Sequence, residues 1–373
     1  LTETSGARHV DSIPTLRVLK GYRGDWDQTR VHRARDDVAV RFLSRPASVT
    51  QPKPIPGDHL TQPNDYQVKP MAIIELRGGA VTQEGFVFTE RNELLRESVD
   101  RVPYIDRIQR DHPELEAELD ATKIEPGLEA AAILSCQRSS NYFHWWIDVL
   151  PRCWAIRNSP YRGCTLMTPQ LSEDFQGESL RLLGQSTLPL SRPLQRFRRL
   201  VFVRGLTYGS SQSPLPQLAE FAQWCRGTLE LSPPREGRKL FVSRRTADSR
   251  RLVNEDEVLA ALGGDFERVD GESLSMEEKI SLFSAADVIV APHGAGLTNL
   301  LFCCRPAIVI ELIAEDSPPL VFRRVAGLLG HRYLAVGCEP AGETPRKQSR
   351  RDMRVSPARV AAAVASLEAA KAS

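Results

Sequence analysis

The stretch from Asp287 to Phe302, Asp-Val-Ile-Val-Ala-Pro-His-Gly-Ala-Gly-Leu-Thr-Asn-Leu-Leu-Phe, leaves this chain few ways to fold. Val288, Ile289 and Val290 form a short apolar, β-branched run suited to a buried strand. Pro292 ends it, and Gly294 and Gly296 then permit a tight turn in which backbone can approach a ligand closely. Leu297 to Phe302 reads as the start of a helix. Strand, glycine turn and helix start together aim backbone N–H groups and the positive end of a helix at one point, a geometry that suits an anion. His293 stands at the mouth of the turn, in position to donate to a phosphate oxygen. The same pattern also serves a purely structural strand-to-helix turn, so its meaning depends on what else the chain brings to it.

A chain of 373 residues is long for one core and predicts two domains. A formal net charge of +2 supplies no bulk field for nucleic acid, which is excluded as a partner. The cysteines are odd in number and form no CxxC pair, which points to a reducing compartment and away from a disulfide framework or a zinc site. No apolar run reaches the ~20 residues that a membrane span needs. The first residues are polar and show no signal-peptide pattern, so the expected location is a bacterial cytoplasm, at or near the inner face of the membrane.

Residues 1 to 70 are punctuated by Pro46, Pro52, Pro54, Pro56 and Pro63 and read as irregular. Met71 to Leu76 and Phe86 to Thr89 read as a hairpin, Asn92 to Val99 as a short helix, and Pro113 to Thr122 as an acidic helix. From Ala130 strands and helices alternate, first through a helix over Pro214 to Leu229. A linker-like Leu231-Ser-Pro-Pro-Arg-Glu-Gly237 follows, then a second alternating block. Such alternation predicts parallel sheets with both faces covered, so the expected fold is α/β with two Rossmann-like domains facing a central cleft. The expected divisions are a first domain over 1–230, a second over 238–355, and a terminal helix over 356–373.

In open parallel sheets ligands sit at the carboxyl ends of the strands. The strand ending at Val242 delivers Ser243, Arg244 and Arg245, with Arg250 and Arg251 on the following loop. A guanidinium fork matches phosphate oxygens two at a time. The apolar run Ala307-Ile-Val-Ile310 ends in Glu311, and a carboxylate so placed commonly accepts ribose hydroxyls. With Gly294, Ala295, Gly296, Thr298 and Asn299 these residues read as a nucleoside diphosphate site. Any single arginine here could equally be a solvated loop residue.

In the first block, Asn141, His144, Asp148 and Arg152 fall on one helical face, with Trp145 and Trp146 beside them. Pro151 predicts a kink or an end to this helix. A histidine with a carboxylate one turn away is a workable general base. The plain alternative is a solvent face with a His–Asp pair. Two further motifs fail: residues 294–299 lack the third glycine of the dinucleotide fingerprint, and Asp25-Trp-Asp27 follows no apolar strand that would support a metal site.

Taken together, Asn141-Tyr-Phe-His-Trp with Asp148 and Leu150-Pro-Arg152, Phe241-Val-Ser-Arg-Arg245 with Arg251 and Asn254-Glu255, Pro292-His-Gly-Ala-Gly-Leu-Thr-Asn299 and Ile310-Glu-Leu312 resemble glycosyltransferase family 61, in the right order over about Ser135 to Leu312. The resemblance implies a GT-B fold, an inverting mechanism, a UDP-linked or similar nucleotide-sugar donor, no cofactor and no metal. It also implies a glycan or glycolipid acceptor, as in bacterial surface or capsular polysaccharide synthesis, and is compatible with peripheral membrane association. It assigns Ser243, Arg244, Arg245, Arg251 and His293 to Asn299 to the donor diphosphate, beside the ribose role read above for Glu311. It also makes 1–230 the acceptor-side domain and 238–355 the nucleotide-sugar-binding domain, with the terminal helix over 356–373 packing back on the first. His144 and Asp148 go to the chemistry, with Asn141, Trp145 and Arg152 on the acceptor side. Within enzymes the alternative is a nucleotide-sugar epimerase. Outside them it is a non-catalytic nucleotide-binding subunit of a polysaccharide assembly complex.

Overall fold

The computed structural model describes residues 18–19, 31–44, 47–50, 57–59, 65–68, 70–99, 104, 108, 110–204, 214–315, 320–342 and 350–372. The Asp25–Asp27 triplet and the prolines at 46, 52, 54, 56 and 63 lie outside them. The chain is α/β and divides into two compact units. One takes in Leu1–Ala47, Lys69–Gln176 and Ser186–Ser210, and the other Ser48–Val68, Gly177–Gln185 and Ser211–Ser373. The Leu218–Thr228 helix, expected with the first block, therefore belongs to the second unit, where Arg226 Nη1 donates to Leu301 O at 3.0 Å.

The first unit is built on a seven-stranded sheet ordered Leu188–Pro189, Thr165–Thr168, Ala131–Ile133, Arg199–Val203, Ala72–Arg77, Val38–Phe42, Val31–Arg35. The first four strands are mutually parallel, and in chain order they run 3-2-1-4, half of a Rossmann sheet. The other three are antiparallel, so the expected all-parallel sheet is corrected here. Val31–Arg35 and Val38–Phe42 are joined across Asp36 and Asp37, and so short a connection can only turn a strand back on itself. The expected hairpin is also redistributed. Ala72–Arg77 joins this sheet, whereas Val87–Phe88 pairs with Ala80–Thr82 and Leu94–Leu95 in a separate five-stranded sheet. Leu94–Leu95 is thus a strand, followed by a 3-10 turn over Arg96–Ser98 in place of the helix expected from Asn92 to Val99.

The second unit carries a six-stranded sheet ordered Phe266–Asp270, Arg238–Ser243, Ala286–Pro292, Ile308–Ala314, Arg332–Ala341, Asp352–Arg354. Its first five strands are parallel and run 2-1-3-4-5 in chain order, while the last is antiparallel. The central strands are buried on both faces, as their continuous apolar runs require. Ser275 and Glu278 cap the Met276–Ser284 helix reciprocally, with Ser275 N donating to Glu278 Oε2 at 2.8 Å and Glu278 N to Ser275 Oγ at 3.2 Å.

The terminal helix, Pro357–Ala372, packs on the core of the second unit. Val360, Ala363, Val364 and Leu367, at the spacing of one helical face, join the apolar core formed by Val258 and the strands at Ile308, Ile310, Leu334 and Val336. That face is satisfied within the second unit itself.

His331 closes this core at one end. Its Nδ1 accepts from Ala307 N at 3.1 Å and its Nε2 lies 3.3 Å from Leu300 O, which places the proton on Nε2 of a neutral ring. Burial pulls its pKa from 6.5 down to about 4. The unfolded chain therefore binds a proton that the folded one refuses, and the associated stability is lost as pH falls from 6.5 through 4. We expect about 2–3 kcal/mol of acid destabilisation from this one group. Denaturant unfolding at pH 7 and pH 4.5 should show a non-titrating His331→Gln variant losing that much less than the wild type between the two conditions. Equal losses would remove His331 as the cause.

Candidate functional site

The motifs picked out by sequence gather at one carboxyl edge in each unit. In the second unit the strand order places a switch point between Arg238–Ser243, the first strand, and Ala286–Pro292, the third. Ligands of such sheets bind outside the carboxyl ends at this point. Ser243-Arg244 leaves one strand there and His293-Gly294 the other. The two motifs touch: a Cβ added to Gly294 would overlap Arg244 Nη1. Glycine is thus required here by close approach, since the φ of 175° is ordinary extended backbone. The following 3-10 helix, Ala295–Phe302, has no side-chain cap, which leaves its first N–H groups to other acceptors. Thr298 and Asn299 are buried; Asn299 Nδ2 donates to Gly296 O at 3.0 Å and so builds the turn, while Thr298 Oγ1 has no hydrogen-bond partner among the described residues.

Arg244 and Arg250 are both held largely out of water. Arg244 Nη2 donates to Ser249 O at 2.9 Å, while its buried Nε has no hydrogen-bond partner among the described residues. Burial lowers its pKa, against the opposing fields of Glu272 and Asp352. Arg250 has a buried Nε in the same condition and sits at φ 58°, a left-handed conformation that a side chain of this size rarely adopts. Its pKa is pushed down to about 10, by burial first and then by the like charges of Arg244 and Arg350. Partly buried guanidiniums held close enough to repel are what an anion site requires before its anion arrives.

Sequence reasoning places Arg250 in the arginine cluster without assigning it to the diphosphate, and it does not single out Arg350. Arg245 and Arg251, which it included, are engaged elsewhere. Arg245 Nη2 donates to Asp256 Oδ1 at 2.5 Å, and Arg251 Nη2 to Asp352 Oδ2 at 2.6 Å. Ser243 Oγ donates to the Glu255 carboxylate at 2.9 Å, which pins the first turn of the Glu255–Leu262 helix to the strand end. The double pair Arg244-Arg245 and Arg250-Arg251 contained the signal, but only the fold shows which member of each turns inward.

Glu311 also departs from its expected role. It is wholly buried, inside a strand that runs on to Ala314. His293 Nδ1 lies 2.5 Å from its Oε1, and Tyr333 Oη donates to its Oε2 at 2.5 Å. With both oxygens bonded and no exposed surface, Glu311 in this arrangement faces His293 and Tyr333 rather than the open edge where a ribose would lie. Its carboxylate instead fixes the proton on His293 Nδ1, and His293 Nε2 makes no hydrogen bond among the described residues. Burial, and after it the Glu311 charge, holds the Tyr333 phenol far above its ordinary pKa. The first part of the chain contributes as well: Asp58 Oδ1 accepts from Ala335 N at 3.1 Å, and Oδ2 lies 3.6 Å from Arg323 Nη1, both side chains being buried.

In the first unit the switch point lies beside Ala131–Ile133, between its strand and Arg199–Val203. Asn141 caps the next helix, its Oδ1 accepting from His144 N at 3.3 Å. The helix does not end at Pro151. It widens into a π-turn over Trp145–Val149 and continues as Leu150–Arg157. A proline ring would clash with the carbonyl four residues back, and the longer-range π bond from Leu150 N to Trp145 O makes room for it. His144 Nδ1 then lies 2.7 Å from Asp148 Oδ2. Trp145 and Arg152, expected to face an acceptor, are buried framework. Arg152 Nε donates to Asp148 O at 2.9 Å, Nη1 donates to Ser135 O, and the guanidinium lies over the Phe202 ring at 4.8 Å. These contacts tie the helix to the two strands at the switch point and hold Asp148 in place.

The sequence match now has a structural setting. The Glycosyltransferase 61 family model matches residues 142–310. This bears out the family resemblance, and the matched segment contains both His144–Asp148 and the Arg244–Gly294 edge. The chain is 38% identical over 105 residues to an EGF domain-specific O-linked N-acetylglucosamine transferase of Drosophila melanogaster, covering 27% of this chain and 20% of that protein. It is 32% identical over 108 residues to a protein O-linked-mannose β-1,4-N-acetylglucosaminyltransferase 2 of Xenopus tropicalis, 28% of this chain and 19% of that one. It is 40% identical over 78 residues to a β-1,2-xylosyltransferase of Oryza sativa subsp. japonica, 20% of this chain and 16% of that one. The matched segments thus span about a fifth of these relatives. No helix among the described residues is long and apolar enough to cross a membrane, and no group of three or more His, Cys, Asp or Glu among them could hold a metal ion.

The strained arginine allows a test that needs no knowledge of the reaction. Arg250→Gly removes both the left-handed strain and the like-charge repulsion, and should stabilise the ligand-free protein by about 1 kcal/mol. The same variant should lose most of the rise in melting temperature that millimolar pyrophosphate gives the wild type. A variant that is both less stable and equally responsive to pyrophosphate would show that Arg250 is not held in place for an anion.

Proposed function

We propose that the protein is a glycosyltransferase that moves a sugar from a nucleoside-diphosphate donor, UDP-linked by family likeness, to a hydroxyl of a glycan or glycolipid. The observation that carries this reading is the Arg244 guanidinium packed on Gly294 beside Arg250, at the switch point of the second unit's sheet. Those arginines, with the N–H groups at the start of the Ala295–Phe302 helix, suit a departing diphosphate and would offset its charge without a metal. The proposed step is a single inverting displacement. The acceptor oxygen bonds to the anomeric carbon as the bond from that carbon to the diphosphate oxygen breaks, and the acceptor proton passes to His144. Asp148 holds the Nδ1 proton, which makes Nε2 the basic nitrogen of the ring.

A GT-B fold class and a bacterial surface or capsular polysaccharide as acceptor belong to the same reading. So does a cytoplasmic location, supported by seven cysteines that form no disulfide among the described residues. The relatives act, by their names, on EGF domains or O-linked mannose, or transfer xylose, so both N-acetylglucosamine and xylose belong in a donor panel.

The test begins with a thermal-shift panel of nucleotide sugars and continues with a transfer assay on the donor that binds. Asp148→Asn should lower kcat by at least about 100-fold and leave the Kd for the nucleoside diphosphate within about twofold of wild type. Full transfer by this variant would remove Asp148 from the chemistry. Conversion of donor without any acceptor would instead favour an epimerase.

A further inference from the structure

Glu311 lies buried inside its strand, and the sheet register points to a second carboxylate at the open edge. We propose that Asp270 accepts the ribose hydroxyls of the donor nucleotide, an assignment that rests on reading the second unit's edge as a nucleoside diphosphate site. Asp270 ends the Phe266–Asp270 strand and pairs in register with Ser243, the residue before Arg244. Glu311 pairs with Ala291, two residues short of His293, and so lies inside the edge rather than on it. In the dinucleotide-binding form of open α/β sheets the pyrophosphate lies at the turn after the first strand and an acidic residue further along the chain meets the ribose, a place that the carboxyl end of the second strand would fill here. Phe266–Asp270 is that second strand.

The chemistry at Asp270 agrees with the placement. Its Oδ1 has only long contacts, 3.3 Å from Glu272 N and 3.5 Å from Thr246 Oγ1, and its Oδ2 has no hydrogen bond among the described residues. Its backbone is held firmly, since Ser273 N and Oγ donate to Asp270 O at 3.3 and 3.0 Å. A half-buried carboxylate with spare acceptor capacity on a fixed strand end is pre-organised for two vicinal hydroxyls. The turn it begins also borders the arginines, because Glu272 lies within the field of Arg244. Neighbouring carboxylates are committed: Glu255 to Ser243 and Arg268, Asp256 to Arg245, and Asp352 to Arg251.

The experiment compares three ligands by calorimetry: whichever of ADP, CDP, GDP and UDP binds the wild type most tightly, its 2′-deoxy counterpart, and inorganic pyrophosphate. The wild type should prefer the ribose form by about tenfold or more, the range expected for a hydrogen bond to a charged group. In Asp270→Ala that preference should fall to about twofold or less, while pyrophosphate affinity is unchanged or slightly higher. Asp270→Asn, which keeps the side-chain shape, should show the same direction if the alanine variant folds poorly. Retained ribose preference in both variants, or its loss in Glu272→Gln instead, would overturn the assignment and leave the diphosphate site standing. Failure of the wild type to bind pyrophosphate or any of the nucleotides would remove both.

Discussion

A carboxylate with no exposed surface sits in the middle of an apolar strand, and the edge of the second unit is arranged around it. An unpaired charge at that depth would cost several kcal/mol, so Glu311 is tolerable only because both oxygens are bonded. The neighbouring strand supplies Tyr333, and the glycine turn supplies His293. His293 is thereby fixed in orientation and tautomer at the point where the chain turns towards Arg244. The same strand that carries Tyr333 is held at Ala335 by Asp58, so a short segment from the first part of the chain braces this edge from below.

Above that support, Arg244 and Arg250 are drawn largely out of water, with Arg350 adding a like charge. The left-handed backbone at Arg250 adds a conformational cost to the electrostatic one. Under the proposed function, an arriving diphosphate would relieve that repulsion. The first unit solves a different problem at its own switch point. There a buried arginine, Arg152, and a π-turn hold one carboxylate against one imidazole. A π-turn here accommodates Pro151 and sets the His144–Asp148 geometry in the same stroke.

What could be read from sequence follows from how local each feature is. The strand–glycine–helix run from Val288 to Phe302 and the pairing of His144 with Asp148 depend on spacings within one element, and both hold in the structure. The arginine loop was legible as a cluster but not residue by residue. Consecutive arginines turn to different sides, and Asp256 and Asp352, which capture Arg245 and Arg251, arrive from other elements. Trp145 and Arg152 misled because a helical face shows where a side chain points, not whether another element covers it. The antiparallel half of the first sheet was hidden for the same reason: strand partners are chosen at long range.

The sequence by itself determined the alternation of strands and helices in the second block, the glycine turn that lets a guanidinium approach backbone, and the histidine–aspartate pair one turn apart. Each is a short-range consequence of side-chain size, periodicity or backbone freedom. Only the tertiary structure decided that Glu311 is buried against His293 and Tyr333, that Arg250 is partly buried while Arg251 pairs with Asp352, and that the last helix joins the second unit's core. These outcomes depend on register and burial, which arise when distant segments meet and compete for the same carboxylates and the same apolar surface.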